Sequence, residues 1–261
     1  MPWGPKSARR PVGLAVAGVL VLTLALGASP AAAGARQFTL DLGARRDFVA
    51  QTNNVQCVGA STQMMLNMLA PGADRTAATQ LRLQKVARAW SPPRPDGRQR
   101  KGANVVGWAA GLTLAGAGPY RVVGLPTLDE ALLIAARAMR TTKRPVGLLM
   151  WRGRHAWVMS GFRATKDPFA SGARVTAAIV EDPLYPHGSK VWGPSPAPGE
   201  ALSVKEVGRQ FVPRRSSSFW GGLTMDGMYV LVLPYELDAG ARPPSGVIFR
   251  KPRTLPVLWA A

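Results

Sequence analysis

One cysteine and two histidines are all this 261-residue chain contains. A lone thiol cannot close an intramolecular disulfide, so no cross-linked framework holds the fold together. There is no HExxH segment and no paired-cysteine ligand set, so the sequence calls for neither a metal nor a cofactor. After residues 11–28 no apolar run reaches the ~17–25 residues that span a bilayer, which excludes a polytopic membrane protein. No internal repeat is present, which argues against a solenoid. Acid is scarce as well: 14 acidic residues stand against 33 basic ones, a net charge of +19.

What is present begins with an address. Residues 1–10 carry Lys6, Arg9 and Arg10 without an acid, residues 11–28 are uncharged and apolar, and SPAAAGA follows. A basic start, an apolar stretch and small residues at its exit make a secretory signal peptide over residues 1–35, cut near Ala33 or Ala35. An uncleaved anchor is the competing reading of the same run. Residues 36–261 read as one domain with a Pro- and Gly-rich C-terminal tail over 239–261. Taking Lys6, Arg9 and Arg10 from the 33 basic residues leaves 30 against 14 acidic ones, or +16. The basic residues are spread out, with no aromatic interleaving, so specific nucleic-acid binding is not expected. Export points instead to an anionic cell-envelope surface, with solubility alone as the plainer account of the charge.

Periodicity divides the chain into helices followed by strands. Residues 38–42 alternate as a short strand. Gln51–Leu69 spaces apolar residues as a helix from Cys57 onward, stopped by Pro71-Gly72. Residues 73–90 form an amphipathic helix with Ala78, Leu81, Leu83, Val86, Ala87 and Trp90 on its apolar face. An exposed loop over 91–102, a short buried helix over 103–115 and a strand over 120–123 come next. Thr127 and Glu130 form a capping box for a helix with Leu128, Ala131, Leu132, Ala135, Ala138 and Met139 on one face. Strands are expected over 146–151, 155–162, 174–180 and 228–234. Helices first and strands later predict an α+β fold, with N-terminal helices packed on a C-terminal antiparallel sheet.

Cys57 sits on the first turn of its helix, where unpaired N–H groups and the positive dipole end favour a thiolate. Burial as a small apolar residue is the competing reading of the same thiol. His155 opens an apolar strand, placing its imidazole at the sheet rim. If strands 155–162 and 174–181 pair as a hairpin, Asp182 returns beside His155. That arrangement supplies a nucleophile, a base and an orienting carboxylate. Gln51, six residues before the cysteine, is placed to donate its amide to a developing oxyanion. Glu181 is a poorer orienter than Asp182 because strand alternation turns it to the other face. His187, in the loop beyond, is expected to touch substrate or solvent.

The segments QTNNVQCVGASTQMML, RHAWVMSGF and VEDP together resemble the papain-like cysteine peptidases. The nearest branch is the stand-alone relatives of the bacteriocin-processing, double-glycine leader peptidases. The likeness spans residues 48–185. It implies a papain-like fold, with Cys57 as nucleophile, Gln51 and the Cys57 backbone N–H as oxyanion donors, His155 as general acid/base and Asp182 as orienter. Where many relatives have glycine directly after the cysteine, this chain has Val58 and then Gly59. Transporter helices and a nucleotide-binding motif, usual in the leader peptidases, are missing, so the leader substrate does not carry over.

The expected function is an exported, monomeric cysteine peptidase acting on peptides or proteins. A cell-wall peptide or amide hydrolase with the same Cys/His machinery is one alternative. A non-catalytic cationic binding protein on the same scaffold is the other.

Overall fold

The computed structural model describes residues 37–70, 72–93, 97–98, 101–215 and 225–236. The expected signal peptide over 1–35, the tail over 239–261 and parts of the 91–102 loop lie outside the described residues. Among the described residues no helix is long and apolar enough to cross a membrane.

The elements run β1 (Phe38–Asp41), a 3-10 turn (Arg45–Asp47), α1 (Cys57–Leu69), α2 (Ala77–Ala89), α3 (Val105–Leu114), β2 (Tyr120–Leu125) and α4 (Leu128–Thr142). Then come β3 (Val146–Met150), β4 (His155–Ala164), β5 (Val175–Glu181), the short pair β6 (Gly188–Ser189) and β7 (Gly193–Pro194), β8 (Glu200–Ser203), α5 (Val204–Val207) and β9 (Tyr229–Pro234). This is the α+β arrangement expected from the order of periodicities. All pairings are antiparallel, in the order β2-β9-β3-β4-β5-β8, with β1 joined to β4.

Strand β4 organises the sheet. Its first half, Met159 back to His155, pairs with β3, and Gly161–Ala164 pairs with β1, while its other edge carries β5. A strand buried on both faces reads as a continuous apolar run rather than an alternation. Accordingly, every β4 residue except Arg163 is buried.

Both faces of the sheet are covered. One face packs Leu132, Ala135 and Met139 of α4 onto Leu148, Trp157 and Phe162. The other packs Met64 and Met65 of α1 and Trp108 and Leu112 of α3 onto Ala156, Val158 and Val232. The helices therefore divide, with α1 and α3 on one side and α4 on the other.

Local differences from the sequence expectation have physical causes. In α2 the exposed side includes Ala78 and Leu81, and the buried positions are Gln80, Leu83, Gln84 and Ala87. Two glutamines one turn apart are drawn inward because the loop before α1 offers them backbone partners. The capping box at α4 is half formed: Thr127 Oγ1 accepts from the Glu130 N–H at 3.2 Å, but the Glu130 carboxylate meets the Thr127 hydroxyl instead of its backbone N–H. The lead-in before α1 is less polar in space than in sequence, since Phe48 and Val49 are buried.

Candidate active site

Cys57 begins α1, and no side chain caps that end of the helix. The loop leading to it is braced from α2. Gln80 donates its amide to Ala50 O at 2.9 Å and accepts from the Thr52 N–H at 2.8 Å. One turn on, Gln84 donates to Val55 O at 2.9 Å and accepts from the Gly59 N–H at 2.8 Å. Gly59 is required by this crossing. A Cβ there would lie 2.7 Å from Gln80 O and 2.9 Å from Gln84 Cβ, so the glycine two places after the cysteine serves helix packing. The N–H groups of Cys57 and Val58 find no acceptor among the described residues.

The base arrives on the sheet. The β3–β4 hairpin turns through Trp151 and Arg152, both in the left-handed region at φ 55° and 59°, and Gly153 at φ 98°. Two non-glycine residues in that region cost about 1–2 kcal/mol each. Contacts hold them there. The Trp151 N–H donates to Gln210 O at 3.0 Å, and its indole N–H donates to Gln210 Oε1 at 2.8 Å. The Gly153 and Arg154 N–H groups both reach Met150 O. The indole then stacks on the His155 ring, centroids 4.1 Å apart and 19° from parallel. An aromatic face against imidazole also favours the charged ring.

His155 Nε2 donates to Asp182 Oδ1 at 2.7 Å, and the same oxygen accepts from the Leu184 N–H at 2.8 Å. His155 is 5 % exposed and Asp182 fully buried, so this contact is shielded from competing water. The imidazole is also coupled electrostatically to Cys57, which lines the same cavity. With Nε2 given to Asp182, Nδ1 is left for the thiol. Burial alone would lower the affinity of His155 for its proton, but Asp182 and Cys57 together outweigh it and push its pKa up to about 9. The arrangement is suited to shuttling a proton between the sulfur and a reacting group.

Gln51 is close by but differently engaged. Its backbone N–H donates to Pro183 O at 2.7 Å, stitching the cysteine loop to the segment after Asp182. Its side-chain amide donates to Asn53 O at 2.9 Å, so the group expected at an oxyanion braces its own loop here, while Gln51 Oε1 is buried with no partner among the described residues.

Glu181 faces away, as alternation predicts. It is 2 % exposed, and burial, with Asp41 and Asp47 nearby, raises its pKa to about 8. His187 is exposed in the loop beyond.

Beside Cys57 and His155 opens a cavity of about 260 Å³, lined in part by Val58, Val105, Trp108, Leu149, Ala156 and Arg154. Gln51 and His187 are not among its walls. Trp108 reaches it because Gly147 leaves room: a Cβ on Gly147 would lie 2.6 Å from the indole ring.

Sequence reasoning missed Trp151, Gln210, Gln80 and Gln84. An aromatic at a strand end reads as core, and glutamines on a helix read as its wet side. Compared with known protein families, curated proteins and solved structures, the chain finds no match.

Proposed function

We propose that this chain is an exported cysteine peptidase with a papain-like arrangement of nucleophile and base, hydrolysing peptide bonds through a thioester on Cys57. The observation that carries the reading is one imidazole that shares a cavity wall with the lone thiol of the chain and, through Nε2, meets a fully buried carboxylate.

His155 takes the Cys57 proton, and the sulfur attacks the scissile carbonyl carbon. The resulting oxyanion meets the Cys57 backbone N–H. Gln51 is the second donor in this scheme and would exchange Asn53 O for the oxyanion. Collapse breaks the C–N bond, and the departing amine takes the proton from His155. Water, deprotonated by His155, then attacks the thioester and releases the acid and the thiol. Throughout, Asp182 fixes the imidazole orientation and supports its charged form.

The strong positive balance favours a second reading, hydrolysis of peptide or amide bonds in an anionic cell-wall polymer by the same residues. Digestion of purified wall material against unlinked peptides separates the two.

The test of the shared chemistry is iodoacetamide labelling across pH, with mass spectrometry locating the adduct. A free thiol with a pKa near 8.5 is almost wholly protonated at pH 6. The wild type should therefore label Cys57 there about 10–100-fold faster than His155→Ala. Equal, slow labelling in both proteins would replace the peptidase with a non-catalytic binding protein.

A further inference from the structure

The cavity beside Cys57 is divided by chemistry. Its floor is apolar, formed by Val58, Val105, Trp108, Leu149 and Ala156, and its charged lining residues, Lys101, Arg154 and Arg214, are all cations apart from the site's own His155. Among the described residues no carboxylate lines it. Arg214 is buried and pairs with Asp226, which offsets its charge. Lys101 and Arg154 are exposed, and neither has an ion-pair partner among the described residues.

We infer that this cavity selects acidic peptides, seating an apolar side chain on the Trp108 floor while a carboxylate one or two residues away meets Arg154 and Lys101 at the rim. The inference rests on the peptidase reading and names its substrate class. A volume of about 260 Å³ is below the roughly 300–1,000 Å³ of pockets that enclose whole small molecules, and suits a side chain rather than a free ligand. Because Cys57 and His155 are themselves walls of the cavity, the seated side chain must lie within a residue or two of the scissile carbonyl.

The two contacts differ in strength. Apolar discrimination in a closed pocket amounts to about 10–200-fold for a single methylene. Exposed ion pairs contribute a few-fold at most and fade with salt. Shape therefore sets the main preference, and charge adds a smaller, salt-sensitive one.

Three chloromethyl ketone probes test this on the full chain: acetyl-Glu-Leu, acetyl-Lys-Leu and acetyl-Glu-Gly. In each the Cys57 thiolate attacks the chloromethyl carbon, a C–S bond forms, the C–Cl bond breaks and chloride leaves. The Glu-Leu probe should inactivate at least 10-fold faster than Glu-Gly and several-fold faster than Lys-Leu at low salt. The second ratio should shrink at high salt and invert in Arg154→Glu and Lys101→Glu. Ratios within one protein cancel any change in thiolate reactivity. Fast iodoacetamide labelling with equal rates for all three probes would overturn the inference and leave the peptidase standing. Slow labelling by every reagent would remove both.

Discussion

The two faces of the sheet are packed by different rules. On the α4 face, Leu132, Ala135 and Met139 join Leu148, Trp157 and Phe162 in one apolar cluster. On the α1–α3 side, Gln56, Ser61, Gln63, Asn67, Gln80 and Gln84 are buried as well, and a cavity remains. Apolar packing is non-directional and tolerates small shifts, so it makes stability. Hydrogen bonds to backbone carbonyls fix direction, so they make a site. The first face holds the sheet together, and the second aims one sulfur at one imidazole.

This division is open to test. The largest effect should come from Leu132→Ala, which empties a fully buried position on the α4 face. It should cost about 2–5 kcal/mol of unfolding free energy by urea titration. The Cys57 labelling rate of the folded protein should stay within a factor of two. A large change in labelling would show that the faces are not independent.

Gln84→Ala is the converse. It orphans the Gly59 N–H and Val55 O, a loss of about 1–3 kcal/mol. Unlike the core variant, it should also reduce the pH 6 labelling advantage of Cys57, because the loop it releases positions the sulfur. Unaltered labelling would assign Gln84 to packing alone.

The last effect concerns one buried acid, Glu181. Glu181 has its pKa raised from 4.5 to about 8, so the stability of its protonated form is complete below 4.5 and is lost as pH rises through about 8. Glu181→Gln should therefore gain stability relative to the wild type progressively over that window. His155, raised from 6.5 to about 9, follows the same sign over a higher window. A Glu181→Gln gain that did not grow between pH 4.5 and 8 would place its carboxylate in water.

Much of this was legible in the chain. The meeting of His155 and Asp182 could be read because a hairpin returns a residue to its starting neighbour, and β4 and β5 do pair from Val158–Glu181 to Ala164–Val175. The α+β order was legible because periods of 3.6 and 2 do not mix. The glutamine brace was not, since polarity on a helix gives no sign of a backbone carbonyl waiting 29 residues away at Val55. Trp151 was read as the end of a strand, and only the left-handed turn reveals it lying on His155. Gln51 was placed by spacing alone, and spacing does not say which acceptor an amide prefers.

Cys57 and His155 are brought to the site by contacts of very different sequence separation. The β3–β4–β5 meander closes through short loops and loses little chain entropy in forming, whereas the contact between α1 and β4 spans nearly a hundred residues. A partly folded copy with its meander formed would already hold His155 against Asp182, yet its cysteine would be an ordinary thiol. The meeting of sulfur and imidazole would come only when α1 docks on β4.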